Sequence, residues 1–315
     1  MKRKSIIISI SGIKLTKKEI TLIKNEKPWG IILFKRNITS YTQCKKLTHQ
    51  IRKIIKDKNY PILIDEEGGT VSRLSKILDN SIYSQNFFGK LFEQNKSIGI
   101  KIYQHYIYIL STILKDLGFN INTIPVLDIL KKNTSRIIGK RSFSENINTI
   151  KLLGNICIST YRKKKIGTVI KHIPGHGSAK TDSHKVLPLI NDRYSYLIRN
   201  DFKCFKSSKS FFAMTAHVLF KKVDDKNVVT HSKFIIDSII RKKLGFKGIL
   251  ISDDISMKSL KYDILKNAQY SLTSGCNLVL YCAGKFKESE QLLKHMPLID
   301  SFTAKKTSEF YKFLS

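Results

Sequence analysis

Short, uninterrupted apolar runs recur along the chain, each followed by a longer stretch in which apolar residues return every three or four positions. The runs are IIISI (6–10), GIILF (30–34), PILI (61–64), INTIPV (121–126), GTVI (167–170), FFAMTA (211–216), GILIS (248–252) and NLVLY (277–281). Runs this brief, with little polar alternation, fit strands buried on both faces. Between them, SYTQCKKLTHQIRKIIK (40–56) carries helical spacing. So does SKFIIDSIIRKKLGFKG (232–248), where Ser232 is placed to cap the helix and Gly245 to stop it. A doubly wound sheet also alternates strand and helix, but eight such units in 315 residues fit a closed barrel better. The expected fold is therefore α/β, a single-domain (β/α)8 TIM barrel over residues 1–315.

The first run follows a basic start, MKRKSIIISISGIKL, as an export signal would. It is short, interrupted by Ser and lacks a small-residue cleavage site, so it reads as the first strand. No run of 18 or more apolar residues is present, and a membrane span is not expected. Five scattered cysteines without a C-x-x-C pair argue against a disulfide scaffold or a zinc knuckle and suit a reducing, cytoplasmic setting.

The formal net charge of +33 would draw polyanions non-specifically. Of the 57 basic residues ten are Arg, the type that reads bases by bidentate contacts, and the rest are lysines spread along the whole length. The charge thus reads as a solvated surface, and no specific nucleic-acid partner is expected.

Four polar clusters sit where strands end: DEEGGTVSR after the third, KHIPGHG after the fifth, AHV after the sixth and SDDISM after the seventh. In a barrel those ends meet on one face, where active sites form. Asp65, first after its strand, should point into the cleft, and Arg73 can return to the same rim beyond the Gly68–Gly69 turn. Glu66 and Glu67 read as solvated turn residues. Adjacent strand residues face opposite ways, so only one of Asp253 and Asp254 should serve the cleft, the other capping or bonding nearby.

KHIPGHGSAKTDSH (171–184) gathers His172, His176 and His184 with Asp182. Pro174 and Gly175 break the helix that a His172–His176 metal pair needs, and the glutamate of H-E-x-x-H is missing, yet Asp182 or His184 leaves a metal site conceivable. The Asp182–His184 pair fits an acid/base device, with Asp orienting the imidazole. No G-x-S-x-G elbow supports serine-hydrolase chemistry. A purely structural loop histidine is the remaining reading.

Taken in order, IDEEGGTVSRL, IGKRSF, KHIPGHGSAKTDSH, MTAHV and GILISDDISM resemble glycoside hydrolase family 3, in particular the bacterial β-N-acetylglucosaminidases of the NagZ type. The likeness spans essentially the whole chain. It implies a (β/α)8 barrel and a retaining glycosidase with Asp253 as nucleophile and His184 as general acid/base, partnered by Asp182. Retaining enzymes usually employ two carboxyl groups about 5–5.5 Å apart; this group substitutes an imidazole, which titrates near neutrality and can give and retake a proton. Asp65, Arg73, Arg141, Lys171 and His172 match the family's sugar-binding positions, and His176 falls to loop architecture. Thr70, Asn277 and SFSENIN depart from the family pattern.

The resemblance further implies an aminosugar or muropeptide substrate, non-reducing N-acetylglucosamine on 1,6-anhydro-N-acetylmuramyl fragments, handled in the cytoplasm by a monomer without metal or cofactor. Relatives acting on other β-glucosides usually carry a second domain, and this chain's length favours the single-domain type. Two other readings remain open. One is phosphorolysis of the same intermediate, since an imidazole does not repel phosphate. The other is a polyanion-binding barrel that has lost catalysis.

Overall fold

A computed structural model describes residues 2–131, 138–181 and 186–315. Eight parallel strands close into a barrel: β1 (Lys4–Ser9), β2 (Pro28–Leu33), β3 (Ile62–Ile64), β4 (Ile121–Asn122), β5 (Gly167–Ile173), β7 (Phe212–Thr215), β9 (Ile249–Asp254) and β10 (Leu278–Tyr281). Each of the eight apolar runs supplies one of them, in order. A second, two-stranded parallel pair, β6 (Leu189–Ile190) with β8 (Leu219–Phe220), was not anticipated. Two-residue strands leave no periodic trace. This pair joins the loop beyond β5 to the loop beyond β7.

Both faces of the barrel strands are buried. Ile7 packs inward with Leu63, Val169, Met214, Ile251 and Leu280, while Ile6 and Ile8 pack outward beneath the helices. In the helix Tyr41–Ile55, Cys44, Leu47, Thr48 and Ile51 form the buried stripe, and the Ser40 hydroxyl accepts the Gln43 N–H to start it. Ser232 caps the segment predicted for it by accepting from Ile235 N at 3.1 Å, and Gly245 takes φ +70° at its far end. The turns between, Ile235–Lys243, are π-helical rather than regular α.

A final helix, Ser301–Leu314, lies across the N-terminal ends of the strands. Its Phe310 meets Phe212 edge to face at 5.0 Å and crowds Gly167 so closely that a Cβ there would lie 2.8 Å from the ring. Thr307 accepts from the Trp29 indole at 2.9 Å. The base of the barrel is thereby sealed, and the open end is the one where the polar clusters emerge. Asn277 also belongs to the lower end. Its Oδ1 accepts from Leu250 N (2.8 Å) and Arg241 (2.7 Å), a structural task remote from the cleft. Thr70 is exposed on its turn. Among the described residues no helix is long and apolar enough to cross a membrane.

Candidate active site

At the open end the chain encloses a cavity of about 160 Å³. Asp65, Arg73, Arg141, Lys171, His172 and Asp253 all border it, so six of the eight residues singled out from sequence converge. Ile32, Met214 and Leu280 supply an apolar floor. The other two, Asp182 and His184, lie outside the described residues.

Asp65 follows β3 directly. Beyond it the chain doubles back through Gly68 (φ +82°) and Gly69 (φ +62°), where a Cβ on Gly68 would come within 2.3 Å of the Tyr83 carbonyl. The reversal returns Arg73, whose Nη2 donates to Asp65 Oδ2 at 2.5 Å. The other carboxylate oxygen, Oδ1, accepts from Lys171 Nζ and Thr123 Oγ1, each at 2.5 Å. Burial opposes ionisation of this carboxyl, but Lys171 and Arg73 outweigh it and hold the group well below the usual carboxylate range.

The expectation that Glu66 and Glu67 are solvated fails: they are 0% and 5% exposed. Glu66 turns down to accept from Arg73 N (2.7 Å), Leu74 N (2.8 Å) and Asn80 Nδ2 (2.6 Å), staking the turn from beneath. Burial pushes its carboxyl up despite those bonds. Glu67 receives Arg141 through two bonds of 2.8 Å and Lys171 at 2.6 Å. Its desolvation is likewise outweighed, by Arg141 and then Lys171, and its ionisation shifts to lower pH. Three cations and two carboxylates thus interlock, each fixing the next.

Lys171 and His172 end β5. Asp128, on the segment leaving β4, accepts the backbone N–H of His172 (3.2 Å), the ring Nδ1–H (2.7 Å) and the backbone N–H of His176 (2.7 Å). The opposite ring nitrogen of His172 lies 3.4 Å from Arg141 Nη2. The buried Asp128 carboxyl is held low chiefly by His172, against its desolvation. The PGHG turn is pinned from outside the barrel, where buried Asp201 accepts Ser178 N (3.1 Å) and Lys131 Nζ (2.6 Å).

At the end of β9 both aspartates border the cavity, where only one was expected to, and their bonding differs. Asp254 accepts Ser256 N and Cys282 N, each at 3.1 Å, and Ser256 Oγ at 2.7 Å, tying β9 to β10. Burial raises its carboxyl. Asp253 is partly exposed, and its Oδ1 accepts from Asp254 N at 2.8 Å. Beneath them, His217 donates from Nε2 to the Asp254 carbonyl (3.1 Å) and accepts at Nδ1 from Thr230 (2.7 Å). Burial pushes its imidazole towards the neutral form, with Asp253 opposing.

Sequence reasoning passed over Asp128, Thr123, Glu67 and a role for His217. The rule that polar residues at strand exits face the cleft would have found Asp128, two residues past INTIPV. Glu67 gave no such signal, because its partners Arg141 and Lys171 come from distant segments. As for metals, His172 Nδ1 is committed to Asp128, and no group of three or more His, Cys, Asp or Glu suited to a metal occurs among the described residues.

The family model "Glycosyl hydrolase family 3 N terminal domain" matches residues 4–303. A beta-hexosaminidase of Bordetella pertussis is 30% identical over 284 residues, covering 88% of this chain and 79% of its own. One from Neisseria meningitidis is 31% identical, covering 89% and 78%. Among solved structures, NagZ of Neisseria gonorrhoeae in complex with N-trifluoroacetyl-D-glucosamine superimposes with a TM-score of 0.88 at 27% identity, over 98% of this chain and 90% of that one. A closed barrel with its polar groups gathered at the strand exits agrees with a match over nearly the full length, and the chain belongs to glycosyl hydrolase family 3.

Proposed function

We propose that residues 1–315 act as one retaining β-N-acetylglucosaminidase domain, releasing non-reducing N-acetylglucosamine from 1,6-anhydro-N-acetylmuramyl saccharides and peptides of cell-wall recycling, as a cytoplasmic monomer. The observation that carries this reading is the position of Asp253, a partly exposed carboxylate opening onto the same cavity as the interlocked Asp65–Lys171–Glu67–Arg141 group. The names of the relatives and the sugar held by the gonococcal neighbour point to the same substrate class.

Ionised Asp65 accepts from sugar hydroxyls while Arg73, Arg141 and Lys171 donate and His172, its Nδ1–H held by Asp128, offers Nε2 as an acceptor, orienting the anomeric carbon over Asp253. The Asp253 carboxylate attacks that carbon and the bond to the leaving oxygen breaks. His184, held by Asp182, gives the leaving oxygen a proton. Water then attacks the anomeric carbon of the glycosyl ester, loses its proton to His184 and frees Asp253, with net retention. Asp254 stays out of the chemistry because its oxygens are spent on Ser256 and Cys282.

The test compares aryl β-N-acetylglucosaminide with aryl β-glucoside hydrolysis by the wild type and by Asp253→Ala. Wild-type preference for the N-acetylglucosaminide, lost by at least a thousandfold in kcat in the variant, is expected (~4 kcal/mol of barrier). Activity that survives Asp253→Ala rejects the assignment. His184→Ala should slow poor leaving groups more than good ones. Sugar 1-phosphate formed only when phosphate is present would replace hydrolysis by phosphorolysis.

A further inference from the structure

His176 is 2% exposed, borders the cavity and has no hydrogen-bond partner at either ring nitrogen among the described residues. Leaving a polar atom buried and unpaired costs stability, so a native structure with two such atoms on one ring calls for a cause. The turn itself supplies none. The main chain does the structural work, since His176 N donates to Asp128 at 2.7 Å and its carbonyl accepts from Ala179 N at 3.0 Å. Any residue could make those bonds. The tight packing is done by glycines, with a Cβ on Gly177 falling 2.1 Å from the Ile129 carbonyl and one on Gly175 (φ +150°) 2.9 Å from Asp201 Cβ. Asp128 does not serve the His176 ring; its carboxylate takes both backbone N–H groups and the His172 ring instead.

We propose that His176 is a further sugar-contacting residue, one ring nitrogen hydrogen-bonding a hydroxyl or acetamido group of the N-acetylglucosamine unit seated in the cavity. This rests on the reading of that cavity as an N-acetylglucosaminide site. Burial, with the nearby His172, pushes the imidazole down to about 4, so the ring is neutral at ordinary pH. A neutral imidazole offers one donor and one acceptor, the pair that a hydroxyl or an acetamide can answer. Its ring stands edge to face with that of His172, 5.7 Å away, and both residues border the cavity. His172 is fixed by Asp128, whereas His176 has its hydrogen-bonding capacity left for a ligand.

The experiment compares the wild type, His176→Leu and His176→Gln by aryl β-N-acetylglucosaminide kinetics and urea unfolding. In parallel, the ring-nitrogen NMR resonances of histidine-labelled wild type are followed as N-acetylglucosamine is added. The Leu variant should lose roughly tenfold in kcat/KM, mostly through KM, as expected for one hydrogen bond. Its unfolding midpoint should be unchanged or higher, and the Gln variant should recover part of the loss. A His176 ring resonance should shift with N-acetylglucosamine. A kcat/KM within twofold of wild type, a ring resonance that does not move, or activity lost only in step with the unfolding midpoint would each overturn the proposal. If the wild type hydrolyses no N-acetylglucosaminide yet the ring responds to N-acetylglucosamine, the hydrolase reading fails and the contact stands.

Discussion

Glu67 holds two cations at once, Arg141 by a bidentate pair and Lys171 by a single bond, with a side chain only 1% exposed. Removing one partner of a buried ion group strands the others, which costs far more than the group contributes when intact. Glu67→Gln should therefore destabilise the protein by about 3 kcal/mol in urea unfolding and release Arg141 and Lys171 from their places on the cavity wall. The pH dependence has a definite sign. Asp65 and Glu67 both ionise at lower pH folded than unfolded, so their contribution is complete above the usual carboxylate range, about pH 4, and fades as pH falls through the folded values. The wild type should lose stability on acidification below about pH 4, and Glu67→Gln should lose less over that window. An equal acid slope for the two proteins would show that Glu67 is not linked to folding in this way. Asp254 and Glu66, both shifted upward by burial, contribute in the opposite sense.

Among the elements, the C-terminal helix does what an ordinary eighth-helix ending would not. Phe310 fills the base of the barrel against Phe212, Phe211 and Gly167. Phe310→Ala should cost roughly 3–5 kcal/mol of unfolding free energy, with kcat falling little, because the open end lies across the barrel. Matching losses of kcat and stability would instead tie the base to the cleft. That helix also marks the limit of what could be read beforehand. Strands buried on both faces announce themselves as apolar runs, and all eight were legible. The function of Ser301–Leu314 was not, since its partners Trp29, Gly167 and Phe212 are more than 90 residues distant in the chain. The π-helical turns of Ile235–Lys243 were hidden because their apolar spacing fits a regular helix equally well. In the site, Asp65 and Asp253 stood out in the sequence by their places at strand ends, whereas Lys171 was singled out only by the family resemblance. The burial of Glu66 and Glu67 was not, because it depends on cations and amides that only the fold brings together.

For the molecule as a whole, the charge of +33 has to reside outside the cleft. Within it, Arg73, Arg141 and Lys171 face Asp65, Glu67 and Asp253, with Asp128 beside them, so the cavity itself holds no cationic excess in proportion to the surface. A basic exterior around a balanced cavity should raise the encounter rate of anionic substrates without changing the chemical step. Surface fields of this kind decay over about 10 Å at 0.1 M salt and about 3 Å at 1 M. The predicted result is that kcat/KM for a carboxylate-bearing N-acetylglucosaminyl-muramyl substrate falls severalfold between about 0.05 and about 0.5 M salt. Over the same range kcat/KM for a neutral aryl N-acetylglucosaminide should stay flat, as should kcat for both. Parallel salt sensitivity in the neutral substrate would place the effect inside the ion-paired cluster, where Asp65 and Glu67 hold their cations, rather than on the surface.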